Sequence, residues 1–144
     1  MLWDDEKYYL VAYDEKEEII KNFRVDKMQD LEIVDMPREG KDLLADFDPG
    51  AYAGSLFGMY HGDPETVKLR FENSLIGVVA DRFGREDFLS PDGDDHFTVT
   101  AKVAVSPQFL SWVFGFGKQA EIIQPQGVKE QFLALLRETE ANYL

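Results

Sequence analysis

Alternation of apolar and polar residues is strictest in the middle of the chain. From Phe97, the residues Phe97, Val99, Ala101, Val103 and Val105 take every second place, with Thr98, Thr100 and Lys102 between them. Successive side chains of a strand point to opposite faces, so this run predicts a half-buried strand. Ser106-Pro107 then predicts a helix start. A Ser oxygen accepts an orphan backbone N–H, and proline is preset for the first helical position. Phe109, Trp112, Val113 and Phe116 follow at helical spacing, and Gly115 and Gly117 offer left-handed exits. One face of this unit needs a partner layer.

The flanking segments supply it. Residues 66–72 alternate again, with Val67, Leu69 and Phe71 on one face and Lys68, Arg70 and Glu72 on the other. Asn73-Ser74 can cap a helix that carries Leu75, Val79 and Phe83 and ends at Gly84. A strand near Asp87–Leu89 and a turn over Pro91–Asp95 lead into the central strand, and Ala120–Gln124 is a short strand after the Trp112 helix. The order strand-helix-strand-strand-helix-strand is that of a ferredoxin-like βαββαβ sandwich. Residues 127–143 predict a closing amphipathic helix, with Val128, Phe132, Leu135, Leu136 and Tyr143 on its buried side.

The first 36 residues read as three short strands: Tyr8–Tyr13, a DEKEE turn, Ile19–Val25, and Leu31–Val34. So small a sheet buries little and leaves unpaired edges, so a missing part or a second copy is expected to complete it. Between them and the second block, residues 37–64 form a connector. Asp48-Pro49 starts a helix there, with Tyr52, Leu56 and Met59 or Tyr60 as its apolar stripe, and Gly62-Asp63-Pro64 stops it.

Composition narrows the function. The 144 residues include no cysteine, which excludes disulfides and thiolate metal sites, and only two histidines, His61 and His96. No apolar run approaches a bilayer span, and the acidic N-terminus is unlike a signal peptide, so the expected location is the cytoplasm, with no membrane partner. A formal net charge of −13 weighs against non-specific binding to duplex DNA by this chain alone.

Several constellations could carry chemistry. Asp92, Asp94, Asp95 and His96 bring oxygens together but lack the spacing of a calcium loop, and Asp-Gly between strands is a hairpin turn first. His61 with Asp63 and Glu65 has no nucleophile motif to serve, so it reads as a loop histidine. Gly115 and Gly117 lie at a helix end, where a phosphate loop would need them at a helix start. Neither a metal nor another cofactor is expected. Lys68, Arg70 and Lys102, with Thr98 and Thr100, fall on the polar faces of two neighbouring strands and form a candidate anion surface. In the first hairpin, Tyr8, Tyr9, Tyr13, Phe23, Arg24 and Lys27 bring aromatic plates and cations together, the residue types used for base stacking and phosphate contact. A small hydrophobic core with an exposed Arg accounts for them equally well.

These residues carry a resemblance. Tyr8-Tyr9-Leu10 stands where a WYL domain has Trp-Tyr-Leu, and Phe23-Arg24-Val25-Asp26-Lys27 resembles that domain's Phe-Arg-x-Asp-Arg pattern, with Lys27 for the usual Arg. Phe57-Gly58-Met59, Val67–Phe71, Asp81–Gly84 and Ser106–Phe109 look like the WYL C-terminal extension, WCX. The likeness runs from about Leu2 to Tyr143, with its motifs in order.

What the resemblance implies is the C-terminal part of a bacterial transcriptional regulator, in which a winged helix-turn-helix precedes a WYL domain and its extension. The implied fold is α+β: a partial Sm- or SH3-like β-barrel of three strands (residues 1–36), a connector with a helix (37–64), and a ferredoxin-like WCX domain (65–144). The implied role is a non-enzymatic, ligand-sensing, dimerising region whose effector is a nucleotide or single-stranded nucleic acid. Tyr9, Arg24 and Lys27 are the matching contacts, and Tyr13 shares a face with Tyr9. Relative to the family pattern, the chain starts inside the WYL domain and lacks the helix-turn-helix, through which alone DNA contact is expected. A homodimer is the expected assembly. The alternative is a purely structural oligomerisation module without a ligand, and a small enzyme using His61 or the Asp92–His96 turn is the least supported reading.

Overall fold

The long alternating run does form a strand. In this computed structural model, which describes residues 1–84 and 89–144, it is strand β6 (His96–Val105) of a four-stranded antiparallel sheet. Its neighbours are β4 (Asp63–Glu72) and β5 (Ser90–Asp92), and β7 (Ala120–Gln124) pairs with the far side of β4, giving the order β5-β6-β4-β7. Along β4 and β6 the register sets Val67 opposite Ala101, Leu69 opposite Val99 and Phe71 opposite Phe97. These six side chains share one face, and all are buried.

Helices cover that face. Ser106 accepts a bond from the backbone N–H of Phe109 (3.2 Å) and Pro107 opens helix α3 (Pro107–Phe114), as the sequence predicts; to number in chain order, α1 is Pro49–Ser55 and α2 is Ile76–Phe83. Phe71 is the hub of the core. Its ring packs 5.7 Å from Phe97, 6.0 Å from Trp112 and 5.8 Å from Phe116, and Trp112 meets Phe83 edge-on at 5.5 Å. Edge-to-face pairing of this kind adds to plain area burial. Helix α4 (Gln126–Ala141) packs beside β7 with Val128 buried.

Several expected details differ. Asn73 does not cap a helix by its side chain; its amide instead donates to the Asp94 carbonyl (2.9 Å), and a single 3-10 turn (Asn73–Leu75) precedes α2. Pro91 and Asp92 belong to β5 rather than to the turn, and of the strand expected near Asp87–Leu89, residues 87 and 88 lie outside the described residues. Of the two glycines after α3, Gly117 adopts a left-handed backbone (φ 56) and Gly115 stays helical. Tyr143 lies past the end of α4 and is exposed, because the helix stops two residues short of it.

This sheet and its helices make up the second of two compact units, Gly62–Leu144; the first is Met1–His61. The first unit holds an antiparallel sheet in the order β1 (Leu2–Asp4), β2 (Lys7–Asp14), β3 (Ile19–Arg24). Three strands are present, but the third is Leu2–Asp4 and not Leu31–Val34. Asp5 and Glu6 take positive φ (44 and 59), so a two-residue turn folds β1 straight back onto β2, and Trp3 meets Tyr8 edge-on at 4.7 Å. Residues 31–34 form no strand, and Leu31, Ile33 and Val34 are exposed. Strand-forming residues are present there, but among the described residues no sheet edge pairs with them. In α1, Asp48 accepts bonds from the N–H groups of Gly50 (2.8 Å) and Ala51 (3.1 Å), the expected start, and the helix ends at Ser55. Leu56 and Met59 are buried in the turn that follows.

Candidate functional site

Within the first unit, the hairpin β2–β3 and the turn after α1 line an open cavity of about 420 Å³. Tyr9, Lys21, Asn22, Arg24 and Lys27 line it from the hairpin side, and residues 58–61 from the other. The hairpin register explains the clustering. Tyr9 stands directly opposite Arg24. Paired residues across an antiparallel ladder carry their side chains on the same face, so an aromatic plate and a guanidinium lie side by side. Lys27 follows Arg24 in a single 3-10 turn (Val25–Lys27), which curls it back toward the same opening.

Asn22 fixes the opposite wall. Its Nδ2 donates to the Met59 carbonyl (2.9 Å), and its Oδ1 accepts from the Tyr52 hydroxyl (3.1 Å). Both ends of one amide are used, so α1 and the Phe57–Tyr60 turn are held against β3. Burial pushes the Tyr52 phenol above its ordinary value, against the opposing pull of that hydrogen bond.

The three cations of the cavity are held differently. Lys21 Nζ donates to Asp14 (2.8 Å) and contacts Glu17 (2.7 Å), so its charge is spent on the hairpin. Arg24 faces Asp26 as a fork, Nε to Oδ1 at 3.0 Å and a terminal nitrogen to Oδ2 at 2.6 Å. That bidentate bond holds the Asp26 carboxyl below its ordinary range and raises the Arg24 guanidinium. Among the described residues Lys27 makes no ion pair.

Of the expected ligand contacts, Tyr9, Arg24 and Lys27 are thus brought together. Tyr13 is not among the lining residues. It sits opposite Ile20, and the Gly40 backbone (φ 68) packs against it so closely that a Cβ there would strike its Cβ and Cγ. Asn22, Tyr60 and His61 join the wall although their roles were not legible in local sequence. His61 is indeed in a loop, and exposed. Asp26 could have been suspected, since an acid two places after an Arg in a tight turn is within reach of it.

The candidate anion surface is assembled only in part. Lys68 lies opposite Thr100, Arg70 opposite Thr98 and Lys102 opposite Thr66, all on the polar face of β4 and β6. Arg70, however, reaches across β6 to Asp92 on β5 (Nε to Oδ2, 2.6 Å). Thr98, opposite Arg70 on one side and Ser90 on the other, is buried although it lies on this polar face. Arg70 is already neutralised, and Lys68 and Lys102 remain as the free cations of that face among the described residues. The acidic turn after β5 is a hairpin: Asp92 pairs with His96, and Gly93 takes the left-handed φ of 72.

A WCX domain model matches residues 63–139, over half of the chain, and a WYL domain model matches residues 1–33. The chain belongs to the WCX family. Its WYL segment contains β1 to β3 with Tyr9, Arg24 and Lys27, and its WCX domain contains the four-stranded sheet. The resemblance read from the sequence is therefore right in both parts and in their order. No curated protein matches. Among solved structures, the chain is similar to the proteasome accessory factor B/C (PafBC) of Arthrobacter aurescens, at 18% identity and a TM-score of 0.43. The match covers 89% of this chain and 19% of that one, so the chain spans under a fifth of its length. Among the described residues no helix is long and apolar enough to cross a membrane.

Proposed function

We propose that this WYL–WCX chain is a regulatory region of a bacterial transcription regulator that senses a nucleotide or a single-stranded nucleic acid and performs no catalysis. The observation that carries the reading is the cavity in which Tyr9 stands opposite Arg24 with Lys27 beside them. A cation pair meets phosphate and an aromatic face receives a base, a combination that tolerates sequence. In a chain of net charge −13, cations gathered at one opening mark it out for an anionic ligand. On this reading residues 1–36 are the WYL part with Sm-like strands, 37–64 connect, and 65–144 are a ferredoxin-like domain. The strand order β5-β6-β4-β7, with helices following β4 and β6, supports that last assignment. DNA is contacted through a separate helix-turn-helix, and the protein works in the cytoplasm as a homodimer.

Fluorescence anisotropy of a labelled single strand of a few nucleotides, at low salt, tests the site. Arg24→Ala and Lys27→Ala should each weaken binding about tenfold and lower the salt slope by about one. Equal binding by the parent and Arg24→Ala would remove the assignment.

A second reading, a purely structural oligomerisation module, draws on the edges of the first sheet. Its order leaves β1 and β3 with one partner strand each among the described residues, and such edges invite pairing with another copy. Sedimentation equilibrium separates the two: a dimer indifferent to the single strand favours the module, and a monomer rules it out.

A further inference from the structure

We propose that Asp26 is a built-in competitor for Arg24, so that the cavity selects anions able to displace a carboxylate from the guanidinium and to use Lys27 as well, which is the chemistry of a terminal phosphate. This rests on the functional reading above and narrows its ligand class.

The fork of Arg24 is already filled. Asp26 Oδ1 and Oδ2 take Nε and one terminal nitrogen, the side-on pair of donors that a bound phosphate or carboxylate can also take, and place a negative charge beside the other face. The competitor is also local. Asp26 lies two residues on, in a turn closed by the Met28 N–H to the Val25 carbonyl (3.2 Å), so it acts at the effective concentration of a tethered group. A ligand with one carboxylate exchanges like for like against that tether and gains nothing. A phosphate monoester brings close to two charges and three acceptor oxygens, enough to hold Arg24 and reach Lys27 together.

The other charges sharpen the choice. Lys21, the third cation of the cavity, is held by both Asp14 and Glu17 and adds little to an incoming anion. Lys27 makes no ion pair among the described residues, so it rewards a ligand with charge to spare. Arg24 and Lys27 together with one resident carboxylate leave a net deficit of one negative charge. Once Asp26 has swung away the deficit is two, which a dianion matches and a single carboxylate only half fills.

Calorimetric titration of the whole chain with inorganic phosphate and, separately, acetate tests the idea in the parent, Asp26→Asn, Arg24→Ala and the double variant. Phenylglyoxal labelling of Arg24, read by peptide mass spectrometry, reports its accessibility without any ligand. Asp26→Asn should bind phosphate about five- to tenfold more tightly, lose part of the preference for phosphate over acetate, and label several-fold faster. In the Arg24→Ala background the same substitution should change neither affinity. Unchanged labelling and affinity in Asp26→Asn, with phosphate binding that still depends on Arg24, overturns the competitor and leaves the functional reading standing. Faster labelling with no phosphate bound by any variant overturns that reading and the competitor with it.

Discussion

The Tyr52 hydroxyl donates to Oδ1 of Asn22 across 3.1 Å, and this bond ties helix α1 to strand β3. The other end of the same amide holds the Met59 carbonyl. One polar side chain therefore sets the distance between the two walls of the cavity.

Removing that tie should cost in proportion to what is left unpaired. Tyr52→Phe strands one acceptor and should lower stability by about 1 kcal/mol, and Asn22→Ala, which breaks both bonds, by about 1–3 kcal/mol. Urea unfolding followed by circular dichroism measures both. An Asn22→Ala cost no greater than that of Tyr52→Phe would show that the Met59 bond contributes nothing.

The core of the second unit is more demanding. Phe71 is fully buried beneath Phe97, Trp112 and Phe116. Phe71→Ala should cost about 3–5 kcal/mol, since a large apolar side chain is deleted and its neighbours relax only in part. Trp112 fluorescence is the natural probe, and Phe71→Leu should recover more than half of the loss.

A glycine at the mouth of the same sheet is held by space. A Cβ on Gly62 would run into the Val105 carbonyl, where β4 begins to pair with β6. Gly62→Ala should therefore cost about 1–3 kcal/mol by forcing the backbone apart. Amide exchange of the Asp63–Val105 end of the ladder, faster in the variant than at the Phe71–Phe97 end, would localise the damage.

The Asp14–Lys21 pair predicts a pH window for the hairpin. The Lys21 hydrogen bond holds the Asp14 carboxyl below its ordinary 3.8, aided by the Glu17 and Lys16 backbone N–H groups, although burial pulls the other way. The pair's contribution is full above 3.8 and is lost as pH falls through the lower folded value. For Lys21, raised above 10.5 by Asp14 first and Glu17 second, it is full below 10.5 and lost as pH rises through the higher folded value. The gap in urea midpoint between the parent and Lys21→Met should be flat from about pH 5 to 9 and narrow on both sides. A gap that persists at acid pH would assign the effect to packing of the lysine stem.

Much of the second unit could be read from local pattern alone. Apolar–polar alternation in Val67–Phe71 and Phe97–Val105, with the Ser106-Pro107 start, named β4, β6 and α3 because each depends on neighbours only a few residues apart. The third strand of the first sheet was read at Leu31–Val34 and lies at Leu2–Asp4. Both segments have strand-forming residues, and only the tight Asp5-Glu6 turn gives one of them a partner.

What the sequence determined by itself is the family, the order of the elements in the second unit and the identities of Tyr9, Arg24 and Lys27 as residues worth following. Tertiary structure decided which of them share an opening and which are already spoken for. Tyr9 meets Arg24 because strand register sets them opposite, and Tyr13 is turned to Gly40. Arg24 meets Asp26, Lys21 meets Asp14 and Glu17, and Arg70 crosses a strand to Asp92. A count of charges along the chain cannot anticipate these pairings, because a cation's availability depends on which carboxylate the fold brings within about 3 Å of it.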